Sequence, residues 1–154
     1  MRSRTIKIIW AYSIEIILAI LLMVLLFTTV GRQKTIDFIQ NSAIDFATLY
    51  CAVFAAASLG FLWTLYSKVD TKFHVWLDTI SAFNVYLNAT IYVVFIEAFS
   101  TLILLMTKYC KYDWLTTFAG FSFFLALINS YTMIINSTQI MKLQIRFNRI
   151  PGNL

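Results

Sequence analysis

Four apolar runs, 8–30, 44–66, 82–107 and 114–135, take up most of this 154-residue chain. A helix rises about 1.5 Å per residue and needs roughly 20 apolar residues to cross a hydrocarbon core about 30 Å thick, so each run is long enough to span a bilayer. The pattern predicts an all-α, integral-membrane four-helix bundle with short loops, a single domain over 1–154. Hydrophobic residues make up 60% of the chain and charged residues only 12%, against about 25% charged in a soluble domain. A water-soluble fold is not expected on that ground, and the connections are too short to hold a separate catalytic domain.

A net charge of +5 would suggest nucleic acid in a soluble protein, but these cations sit at the ends of the runs. Arg2, Arg4, Lys7, Lys68, Lys72, Lys142, Arg146 and Arg149 fall on one side, and only Arg32, Lys34, Lys108 and Lys111 on the other. The positive-inside rule then predicts cytoplasmic N- and C-termini and a cytoplasmic middle loop in an inner, plasma membrane. No direct nucleic-acid contact is expected. The first run exceeds the about 7 to 15 apolar residues of a cleaved secretory signal and is expected to be a retained anchor.

The connections carry their own signals. Gly31 should stop the first helix, leaving a loop over 31–41, and Ser42-Ala43-Ile44-Asp45 reads as a capping box that starts the second. Asp113 should cap the fourth span, and the short connection before it makes spans three and four antiparallel neighbours. In the middle loop, 67–81, Val69, Phe73, Trp76, Leu77 and Ile80 recur at helical spacing apart from Lys68, Asp70, Lys72 and Asp78. This is either an amphipathic helix at the interface or an extension of the third span. The tail, 139–154, keeps Ile140, Leu143 and Phe147 on one side and Lys142, Arg146 and Arg149 on another until Pro151-Gly152. Lys68, Lys72, Phe73, Trp76 and the three tail cations are therefore the expected surface for lipid headgroups or a cytosolic protein partner.

Two acids lie inside the spans, Glu15 in the first and Glu97 near the middle of the third. An acid at a span's centre costs about 2.5 to 3.5 kcal/mol on insertion scales, so Glu97 should face the bundle interior or an assembly axis. Glu15 lies near enough to the expected cytoplasmic face to reach headgroups or water. Tyr86, Thr90, Glu97 and Thr101 form one polar stripe, and Asn129, Thr132, Asn136 and Gln139 form another on the fourth span, whose amides are expected to bond a carboxyl across the helix interface. Two small-residue ridges, Ala52-Ala56-Gly60 and Ser122-Ala126-Ser130, suit close helix contact within or between subunits, and the surplus of such faces predicts a homo-oligomer.

No nucleophile–base set, acid pair on one span, metal-ligand spacing or phosphate-binding loop is present in the sequence. The expected role is therefore not enzymatic, and no cofactor is implied. Two readings stay open: an oligomeric membrane anchor or sensor that presents cytoplasmic surfaces to a soluble partner, or a pore-forming subunit lined by the Glu97 stripe.

In length, in its four spans from Ile8 to Ile135, in its expected cytoplasmic ends and in its lack of catalytic motifs, the chain resembles the KwaA family, the membrane component of the two-gene Kiwa antiphage defence system. The resemblance implies a membrane-embedded oligomer that senses phage-caused membrane perturbation and acts with a cytosolic, DNA-binding partner of the KwaB type. An immunity protein against a membrane-active toxin has the same outline.

Overall fold

A computed structural model describes residues 2–149, with side chains at residue 10 and from residue 12 onward. Arg2, Arg4 and Lys7 are thus placed only as backbone, and Pro151-Gly152 lies outside the described residues. Among these residues the fold is all-α: α1 (Arg2–Thr29), α2 (Arg32–Ser67), α3 (Lys72–Thr79), α4 (Phe83–Tyr109) and α5 (Asp113–Asn148). Four of the five, all but α3, are long and apolar enough to cross a membrane.

Gly31 ends α1 as expected. Its φ of 94° and ψ of 144° lie in a region that side chains with a Cβ essentially never occupy, which allows α1 to turn into α2 over two residues. The expected loop over 31–41 is helical instead. The chain winds from Arg32 to Ser67 as one 36-residue helix, so Ser42 and Asp45 are interior residues and form no capping box. Two causes combine: no proline and only one glycine fall between 32 and 67, and Thr35, Ile36, Ile39 and Ala43 bury one helical face on the bundle. Midway, Phe46–Cys51 widen into a π-helical turn while the backbone stays right-handed on both sides. Asp113 likewise caps nothing through its side chain. Tyr112 takes the N-cap position and Asp113 is the first helical residue, where its charge favours the positive helix end.

The middle segment is a separate helix, not an extension of the third span. α3 closes through Ser81, whose φ is 53°, with Ser81 N–H donating to Asp78 O at 2.7 Å and Ala82 N–H to Leu77 O at 2.9 Å. This paired C-terminal closure satisfies the last carbonyls of α3 and redirects the chain into α4.

Spans three and four, now α4 and α5, are neighbours as expected, with Ser100 Oγ donating to Ser122 O at 2.8 Å. α1 runs antiparallel to α5, since Glu15 meets Thr132 while Met23 meets Gly120. The start of α1 and the end of α5 therefore share one side of the bundle, as the up-and-down order requires. At Gly120 a Cβ would lie 2.5 Å from Ile39 Cδ1 and 3.0 Å from Met23 Sδ, so α1, α2 and α5 converge there. In lipid, where apolar burial gives helices no reason to associate, such close approaches and polar contacts hold the bundle together.

The outside of the bundle is oily. Leu21, Leu25, Leu49, Phe95, Leu102 and Ile134 are all exposed, an extent of apolar surface unsuited to water. Exposed Trp10, Trp63 and Tyr66 lie toward the side carrying the chain ends, and Tyr109, Tyr112 and Trp114 toward the other. Such rings concentrate at headgroup depth.

Candidate functional site

Two polar centres sit inside the bundle, on either side of α5. The first is built around Glu97, which is 0% exposed. Ser130 Oγ donates to its Oε1 at 2.5 Å and also reaches Ala126 O at 3.0 Å. Cys51 lies beside Glu97 and Tyr50 beside Ser130. Both belong to the π-helical turn, which brings two consecutive side chains of α2 to one centre. Widened turns of this kind are frequent at functional positions. Glu97 Oε2 has no hydrogen-bond partner.

Glu97 thus points into the bundle as expected, but its partner is a hydroxyl and not an amide. Of the two expected polar stripes, only Tyr86 and Gln139 meet, with Tyr86 O–H donating to Gln139 Oε1 at 3.3 Å. Thr90 and Thr101 donate to carbonyls of their own helix, Tyr86 O at 2.9 Å and Glu97 O at 2.8 Å. Asn129 does the same, its Nδ2 donating to Leu125 O at 2.8 Å, while its Oδ1 is buried with no partner. A threonine or asparagine in a helix can always fall back on the i−4 carbonyl, so spacing alone cannot show that it bonds across an interface.

The second centre is built around Glu15. This acid does not reach solvent: it is 8% exposed, with Thr132 Oγ1 donating to its Oε1 at 2.9 Å and its Oε2 left without a partner. α5 is the reason, because it passes over α1 here and covers the carboxylate. Glu15, Tyr12, Asn84, Asn88, Thr132 and Asn136 line a cavity of about 290 Å³, completed by Val85 and Ala89. Tyr12 packs against Tyr92 with ring centroids 4.4 Å apart, and Tyr92 lies beside Asn129.

The small-residue ridges have different fates. Ser122, Ala126 and Ser130 are buried against the rest of the subunit. Ala52, Ala56 and Gly60 are exposed, and a Cβ on Gly60 would meet nothing within 4 Å. The inward face of α2 is instead Ala43, Ala47, Cys51, Ser58 and Leu65, with Ser58 Oγ contacting Met133 Sδ at 2.7 Å.

A third assembly caps the side of the bundle that carries the chain ends. Phe73 and Leu77 of α3 form one cluster with Leu65, Phe83, Ile140 and Phe147, and the ring of Phe147 lies 5.7 Å from Phe73 and 5.5 Å from Trp76. Phe73, expected on the partner or lipid surface, is only 6% exposed: it is the core of the cap, because the α5 extension folds against α3. Trp76 is half-buried, while Lys68, Lys72, Lys142, Arg146 and Arg149 are exposed on or next to the same two segments. His74 is held at 2.7 Å from Thr71 Oγ1 through Nδ1. Its burial and, secondarily, the nearby charge of Lys68 push its pKa below the usual histidine range.

No known protein family, curated protein or solved structure matches the chain. Its chemistry has to be read from the centres themselves. Among the described residues no three His, Cys, Asp or Glu side chains gather as metal ligands. The two free cysteines are far apart in character, Cys51 buried and Cys110 exposed. Sequence reasoning does not identify Ser130 and Thr132 as the partners of the two acids, nor Asn84 and Asn88 as lining of a cavity. Asn84 and Asn88 recur at i, i+4, a spacing that already put them on one helical face.

Proposed function

We propose that this protein is a non-enzymatic membrane anchor and sensor that holds a cationic cap against the bundle for a soluble protein partner. The observation that carries this reading is the joining of α3 to the end of α5 through Phe73, Trp76 and Phe147, with Lys68, Lys72, Lys142, Arg146 and Arg149 exposed on or next to the joined segments. Two segments far apart in sequence make one surface, and any tilt of α5 within the membrane moves it. A perturbation of the bilayer is thereby passed to the cap through a continuous 36-residue helix. The excess of Arg and Lys on the side of the chain ends supports a cytoplasmic position for this cap, and the exposed Ala52-Ala56-Gly60 face offers a close-packing contact for a homo-oligomer. The resemblance to the KwaA family adds the setting: antiphage defence, with a KwaB-like cytosolic protein as the partner.

The test is charge reversal on the cap. Lys142→Glu, Arg146→Glu and Arg149→Glu together should leave the protein in the membrane fraction but reduce recovery of the protein encoded beside it in a pull-down by tenfold or more. Undiminished recovery of that protein would refute the reading. The same variants should also reduce binding to vesicles containing anionic lipid, at about 1 kcal/mol per cation near the surface.

A further inference from the structure

The cavity between α1, α4 and α5 is a second feature, independent of the cap. Its acid is more than nine-tenths buried, uses one oxygen on Thr132 and aims the other at no protein group. Around it stand the side-chain amides of Asn84, Asn88 and Asn136 and the phenol of Tyr12, all able to accept hydrogen bonds. A buried carboxylate left uncompensated in lipid is costly, and a cation bound in the cavity beside it would offset that cost.

The geometry points to a protonated primary amine, its ammonium held by the Glu15 carboxyl group and the asparagine carbonyls. One carboxylate supplies one negative charge, where a calcium-type site gathers 6–8 oxygens including several carboxylates. The volume of about 290 Å³ is far more than the roughly 30 Å³ that a single water takes up in the liquid, leaving room for an organic body beyond the charge. A primary ammonium presents three N–H donors, matching an acid flanked by amide oxygens, whereas a quaternary ammonium has none and relies on an aromatic cage. Depth adds a further reason. Glu15 lies one and a half turns from exposed Trp10, and some 20 residues of α5 separate Trp114 from the Thr132–Asn136 wall, so the cavity opens where hydrocarbon gives way to headgroups. An aminophospholipid headgroup and a soluble amine share this chemistry.

The full-length protein in nanodiscs of phosphatidylcholine, with and without phosphatidylethanolamine, and titrated with n-butylammonium, separates the sources. Binding of butylammonium to the phosphatidylcholine discs, weakened at least about tenfold by Glu15→Gln, is expected for either source. If phosphatidylethanolamine abolishes it by competition, the lipid is the occupant; if not, the ligand is a soluble amine. Tetramethylammonium should bind at least tenfold more weakly than butylammonium. Asn88→Leu, a change at an exposed wall residue, should block binding even if Glu15→Gln does not fold. Absence of amine binding, or binding that withstands whichever of these variants fold, would overturn the proposal.

Discussion

Glycine 120 and glycine 60 are the same residue in the same kind of helix, yet their surroundings set opposite expectations. Gly120→Val must push Ile39 and Met23 aside and should destabilise the bundle by about 1–3 kcal/mol, read by reversible unfolding in mixed detergent. Gly60→Val places its methyls in open space and should leave that stability within about 0.5 kcal/mol, while weakening any contact between copies in a crosslinking assay. Histidine 74 gives a pH signature. Its pKa is lowered in the folded cap, so the folded state prefers the neutral ring. The stabilisation is present above the unfolded value of about 6.5 and is lost as pH falls from there through the folded value. Trp76 fluorescence should report the cap loosening over that acid range, and His74→Phe should remove the transition. A pH-independent signal in the unaltered protein would refute this.

At the level of elements, α2 departs furthest from expectation and offers the sharpest test. A proline at position 42 would suit the start of a helix, where the sequence pattern puts a cap. In a helix continuous from Arg32, it removes a backbone hydrogen bond and clashes with the preceding turn, costing about 3 kcal/mol. Ser42→Pro should therefore lower stability by that amount, and a neutral result would restore the loop. The error in reading the segment has a plain source. Arg32, Gln33, Lys34, Asp37 and Gln40 make this stretch polar enough to look like a connection, whereas Ile36, Ile39 and Ala43 bury one side of it. The spacing of Ile36, Ile39 and Ala43 is helical, whereas a capping signature of the Ser42–Asp45 sort also occurs by chance inside helices. In the α3 segment the apolar spacing marks a helix, and only the turn at Ser81 decides that it is separate from the span that follows.

Taken as a whole, a single copy of this bundle is closed around Glu97. The acid is sealed at 0% exposure, Thr90 is buried with it, and Tyr86 and Thr101 are only partly uncovered. A pore lined by that stripe requires the helices to separate. The purified protein in planar bilayers should accordingly show no ohmic conductance at rest, and steady cation conductance altered by Glu97→Gln would favour the pore-forming alternative over the anchor.

The amino-acid order alone determined that four helices are long and apolar enough to cross a membrane, that α4 and α5 lie side by side and that two acids must be hidden, because helix length, connection length and the cost of charge in hydrocarbon are properties of the chain itself. Which groups meet those acids was decided only in three dimensions. Ser130 reaches Glu97, and Thr132 reaches Glu15, through the rotation and depth at which α5 packs on its neighbours, and the π-helical turn shifts α2 so that Tyr50 and Cys51 join the same centre. Spacing along one helix fixes which residues share a face. It leaves open which neighbour that face will find, since every serine, threonine and asparagine can bond its own backbone instead.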